Sequence, residues 1–163
     1  MIHFPERGKD EKIADLFRIR IHFDVDKILL PMCILSRASI SRENYLRIKK
    51  NRSDLMGKVF YKFVSSTEGK AQIDRHLIVS ALDQWSWYWI VLEAAVTFLL
   101  TSVIFIIFGN YMFGYWFLVS VLLFVSFSFI IYNNCERYAL NEVKEILADQ
   151  TRVDEVRSEF NAL

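Results

Sequence analysis

WSWYWIVLEAAVTFLLTSVIFIIF, residues 85–108, and MFGYWFLVSVLLFVSFSFIIY, residues 112–132, are the two stretches that decide the fold of this chain. A hydrocarbon core of roughly 30 Å is crossed by about 20 helical residues, and each stretch is long enough. Only Gly109, Asn110 and Tyr111 separate them, a turn signal that joins antiparallel helices. The expectation is a transmembrane helical hairpin.

Outward from the hairpin, the chain divides into residues 1–84, 85–132 and 133–163. The first segment is long enough for one small domain, whereas the last is too short for a globular core and reads as a single helix. A hydrophobic fraction of 53% with 14 Phe fits a small membrane protein. MIHFPERGKDEKIADLF, at the start, is charged and has no apolar centre, so no signal peptide is expected. Cys33 and Cys135 match no metal or redox spacing and read as free thiols in a cytosolic compartment.

Orientation follows from the basic residues. Of 20 Lys and Arg, 16 precede Trp85 and four follow Tyr132, while the turn has none. Cytoplasmic flanks carry the Lys/Arg excess, so both ends are expected in the cytoplasm of a bacterial inner-membrane protein. Trp85, Trp87, Tyr88, Trp89 and Tyr132 would mark one interface; Tyr111, Tyr115 and Trp116 would mark the other.

Ahead of the hairpin, RIRIHFDVD at 18–26 alternates strictly and reads as a half-buried strand. KVFYKFV at 58–64, bounded by Gly57 and a polar stretch, reads as a second. Residues 28–35 are apolar but interrupted by Pro31 and stay unassigned. Residues 41–56 look helical, and a helical pattern from about Ala71 runs on into the first span. The expected fold is therefore a membrane protein: a two-helix transmembrane hairpin, a small N-terminal cytosolic α+β domain and a C-terminal amphipathic helix over 135–162. That tail holds seven acids and four bases, net −3, against 16 bases and 11 acids, net +5, before Trp85. Opposite charges on two segments in one compartment attract, within a subunit or between neighbours.

Three sets of residues are candidates for chemistry. His22, Asp24 and Asp26 share one face of the first expected strand and have the donor types of a cation site; a solvated strand face is the plainer reading. RASISRENYLRIKKNR at 37–52 sets Arg37, Arg42, Arg47, Lys49, Lys50 and Arg52 against the single acid Glu43. Such a cluster neutralises phosphates of an anionic membrane or a nucleic acid, or an acidic protein, unless it is only a solvated helix face. Inside the spans, Glu93 is the only ionisable residue, and Thr97 and Thr101 follow at steps of four. A carboxylate costs free energy in hydrocarbon, so this stripe is a functional candidate in a homo-oligomer. No phosphate loop, nucleophile elbow or zinc-protease motif is present, and no enzyme activity or cofactor is expected.

The layout, a small cytosolic domain joined to a two-span hairpin, resembles the membrane effectors of bacterial anti-phage systems. That resemblance implies membrane disruption after a cytosolic trigger. The residues themselves leave two functions open. One is a non-enzymatic effector whose oligomerised hairpins permeabilise the membrane; the other is a membrane-anchored adaptor that tethers a cytosolic protein or nucleic-acid complex through its basic segment.

A cysteine placed at Asn110 should react with a membrane-impermeant maleimide in intact cells, while Cys33 and Cys135 should not. Labelling of just one native thiol in intact cells would put the two ends on opposite sides and overturn the hairpin, and repeating the labelling after lysis separates a thiol hidden by the membrane from one hidden by burial.

Overall fold

A computed structural model of the chain describes residues 22–38, 42–64 and 73–163. Every regular element among them is helical. Residues 24–35 form α1, which opens as the π-helix Asp24–Leu29 and continues as the α-helix Leu30–Leu35. Arg42–Lys50 is α2. Residues 52–64 form α3, with the π-helix Met56–Tyr61 between the α-helical Arg52–Leu55 and Lys62–Val64. Arg75–Ile107 is α4, Tyr111–Ile146 is α5 and Gln150–Asn161 is α6.

The expected α+β domain is thus corrected. The described part of the first candidate strand, residues 22–26, is helical, and residues 18–21 lie outside the described residues. The second candidate, 58–64, is helical throughout. Burial shows why. In α1 the inward positions are Asp24, Val25, Ile28, Leu29, Met32 and Cys33; in α3 they are Leu55, Met56, Val59, Phe60, Phe63 and Val64. Both are adjacent pairs that repeat every four residues. A short alternating run overlaps such a pattern, which is how period two and a helical stripe become confused.

A strict step of four overshoots one turn of a 3.6-residue helix by about 40°. A π turn, bonded from i to i+5, takes up that surplus and keeps the stripe facing one way. The two π-helical stretches lie within the two stripes and pack against each other. Pro31, which obscured this segment in the sequence, stands where the π-helical stretch of α1 gives way to the α-helix Leu30–Leu35. The expected helix over 41–56 is broken at Asn51, with Ser41 outside the described residues.

The chain forms two compact units, Met1–Ile78 with Ala139–Leu163, and Val79–Tyr138. In the first, α6 closes against the N-terminal helices. Val156 and Phe160 are buried, and α6 packs on Leu30–Leu35 and Met56–Tyr61. Lys62 pairs with Glu155, and Lys58 lies 3.8 Å from Glu159. Arg157 Nε donates to the Ser36 carbonyl at 2.6 Å. The attraction between basic segment and acidic tail acts here within one subunit. The tail is not one helix, however. It breaks after Ile146 and restarts at Asp149, whose carboxylate accepts from the Thr151 N–H at 2.8 Å as an N-cap.

One acid of that tail is turned inward. Glu142 is only 5% exposed and shares the buried face of α5 with Ala139, Val143 and Ile146. It lies beyond the apolar span, and burial pushes its carboxyl up to about 8 from an ordinary 4.5. The folded unit then holds a proton that the unfolded chain releases between about pH 4.5 and pH 8, so stability falls as pH rises through that window and levels off above it. At about 1.4 kcal/mol per pH unit the loss is on the order of a few kcal/mol. Thermal unfolding of the detergent-solubilised protein, followed by circular dichroism, should show a lower midpoint at pH 8.5 than at pH 5. Glu142→Gln should flatten that dependence and be the more stable protein at the alkaline end; parallel curves would show that Glu142 does not set it.

Candidate functional site

In the second unit the hairpin is closed by local geometry. The chain turns at Gly109, which adopts φ +76°. The Gly109 N–H donates to the Ile106 carbonyl at 3.1 Å and the Asn110 N–H to the Phe105 carbonyl at 2.9 Å. This is the paired bonding of a Schellman motif, with glycine at the left-handed position. Past the turn, Ser102 Oγ donates to the Gly114 carbonyl at 2.8 Å. Gly114 has no room for a side chain: a Cβ there would stand 2.6 Å from Ile106 Cγ1 and 3.3 Å from the Ser102 carbonyl oxygen.

Phenylalanine rings fill the rest of the seam. Phe105 stacks on Phe117 at 5.5 Å, and Phe98 lies against Phe117 at 5.4 Å and Phe124 at 5.2 Å. Tyr88 meets Tyr132 at 5.9 Å. The outer faces are apolar and bare; in the most apolar window of each helix only 11% and 6% is buried. A soluble protein buries such helices; these two are long and apolar enough to cross a membrane, which makes the chain a membrane protein.

The polar side chains of the spans are almost all bonded to main chain. Thr97 donates to the Glu93 carbonyl at 2.9 Å, and Thr101 to the Thr97 carbonyl at 2.8 Å. Ser120, Ser126 and Ser128 bond to carbonyls three or four residues back. Hydroxyls satisfied within their own helix do not need a water path. Within the Glu93-Thr97-Thr101 stripe both hydroxyls are thus bonded inside α4. The Glu93 side chain is exposed on α4, and among the described residues its carboxyl meets no donor.

The basic segment also divides. Arg52 donates to Asp24 at 2.8 Å inside the helical unit, where Asp24 occupies a buried position of α1. Asp26 accepts from Tyr45 at 3.2 Å and lies 3.8 Å from His22. Of the three residues considered for a cation, Asp24 and Asp26 thus serve helix-to-helix contacts, and His22 stands one turn before Asp26. Arg47 donates to the Leu163 carbonyl at 2.8 Å. Arg37, Lys49 and Lys50 are exposed, and the side chain of Arg42 lies outside the described residues.

Ser102 and Gly114 escaped the sequence reading because no small-residue motif marks either span. Glu142 escaped because it was counted with the solvated acids of the tail.

Residues 9–162 match the sequence model of the YmfE protein family. No curated protein and no solved structure matches the chain.

Gly114→Val should part the two spans. In protein carrying Phe105→Cys and Phe113→Cys, whose native rings lie 5.8 Å apart, oxidation should give much less intramolecular cross-link when Gly114 is replaced. Ser102→Ala should have a milder effect, the loss of one interhelix hydrogen bond, roughly 0.6–1.7 kcal/mol in a membrane. Equal cross-linking in all three proteins would refute this seam.

Proposed function

The chain belongs to the YmfE protein family, and we propose that it is a non-enzymatic membrane effector whose hairpins associate through Glu93 and perturb the bilayer, under control of the helical unit. The observation that carries this reading is the solitary status of Glu93. Seven Ser and Thr hydroxyls of the spans bond to main-chain carbonyls. Glu93 is the one carboxyl of the spans, and it is exposed and meets no donor among the described residues. A carboxyl in hydrocarbon is stabilised by a neighbouring helix, by water held in an assembly or by the headgroup region. Two helices with a seam of packed rings enclose no path, so any conduction takes several copies.

Both ends would face the cytoplasm of a bacterial inner membrane, in keeping with the Lys/Arg bias. Anti-phage defence is the setting that the resemblance in layout implies. The adaptor reading draws on a smaller cation set, because Arg47 and Arg52 bond within the chain.

Glu93→Gln keeps the hydrogen-bonding capacity and removes the charge; Glu93→Leu removes both. At matched membrane levels, both should reduce depolarisation of cells after induction. Leu should also shrink the cross-linked oligomer, while Gln should preserve it. If both variants match the parent in both assays, Glu93 only reaches for headgroups and the effector reading fails.

A further inference from the structure

The exposed cations of the helical unit stand beside exposed aliphatic side chains. α1 ends in Ile34 and Leu35, which are 54% and 50% exposed, and Arg37 follows, also exposed. On α2, Leu46 is 62% exposed, and Lys49 and Lys50 continue its face at steps of three and four. The two clusters belong to one packed body: Tyr45 of α2 bonds to Asp26 of α1, and α6 reaches Ser36 through Arg157 while Arg47 of α2 reaches Leu163.

Arg37 adds an independent sign. Its φ is +58°, and its N–H donates to the Ile34 carbonyl just past the end of α1. That left-handed position after a helix suits glycine, and a residue with a Cβ pays about 1–2 kcal/mol there. The chain keeps a long cation where glycine would be the more stable choice, an outlier of the kind that marks function.

We propose that the exposed end of α1 and the exposed face of α2 that carries Leu46 form an interfacial surface that lies on an anionic membrane. Ile34, Leu35 and Leu46 enter the headgroup region, and Arg37, Lys49 and Lys50 meet lipid phosphates. Aliphatic groups beside cations are the footprint of a surface that binds lipid. A nucleic acid is gripped through phosphates and stacked aromatic rings and gains little from exposed leucine or isoleucine. Tyr45, the aromatic residue of α2, is half-buried and bonded to Asp26. The hairpin keeps this surface tethered to a bilayer, so the encounter is intramolecular and modest contacts suffice. None of this depends on association of hairpins.

The test uses the full chain with Leu46→Cys carrying an environment-sensitive nitrobenzoxadiazole dye. Cys33 and Cys135 are buried and stay in place, and protein without the new cysteine sets the background. The protein is reconstituted into phosphatidylcholine vesicles with or without phosphatidylglycerol. Emission should shift to the blue and brighten roughly twofold or more in the anionic vesicles, and high salt should reverse the change. Lys49→Gln with Lys50→Gln should abolish the response. Arg37→Gly should raise the thermal midpoint and weaken the response; a purely structural Arg37 would leave the response untouched. Identical emission in both vesicle types would overturn the proposal. So would a response to added duplex nucleic acid in place of phosphatidylglycerol, which would return the basic segment to an adaptor role.

Discussion

A polar group in hydrocarbon has no water to fall back on, and the structure of the spans follows from that constraint. Backbone amides are satisfied by making each span one unbroken helix. At the turn, where helix bonding must stop, Gly109 and Asn110 return their N–H groups to Ile106 and Phe105. Each Ser and Thr hydroxyl of the spans then closes on a carbonyl, six of them on their own helix. Ser102 alone reaches across to the other helix, at Gly114. That bond needs a close approach, and the close approach needs a residue without a side chain. Lipid supplies no hydrophobic force between helices, so small residues and packed rings bear the association. Against this background Glu93 is an exception, because it is the one carboxyl of the spans and meets no donor among the described residues.

The helical unit answers to water, and its logic is burial. Two stripes with a period of four require two widened turns, and those turns meet in the core. Burial of Asp24 in one stripe brings Arg52 with it, since a charge leaves water at tolerable cost only when paired. Glu142 shows the other solution. It is buried with its carboxyl pushed up to about 8 and carries its proton through neutral pH. α6 completes this unit through Val156 and Phe160, and its exposed ion pairs with Lys58 and Lys62 add only a little, as surface pairs do.

The same burial sorts the cations. Arg52 and Arg47 serve internal contacts, whereas Arg37, Lys49 and Lys50 remain outside with Ile34, Leu35 and Leu46. A basic run in a sequence is thus two populations in the fold, one that holds helices together and one free to meet a partner. The aliphatic neighbours distinguish that partner, because they match a lipid surface better than a phosphate chain.

The hairpin was legible in the sequence because its signal is long and local. Predominantly apolar stretches of 24 and 21 residues on the two sides of a glycine turn leave few other folds, and the steps of four that align Glu93, Thr97 and Thr101 are read directly from spacing. The α+β expectation failed because short segments are ambiguous: RIRIHFDVD and KVFYKFV satisfy period two within themselves, while the helical stripes that claim them run on to Cys33 and back to Leu55. Which side chains meet was beyond the sequence altogether. Arg157 finds Ser36 across 121 positions, and Arg47 finds Leu163 across 116. The inward turn of Glu142 likewise exists only once α5 has packed. Length and hydropathy act along the chain and determined the membrane segments, whereas partner choice and burial arise from contacts between distant residues, so only the tertiary structure decided them.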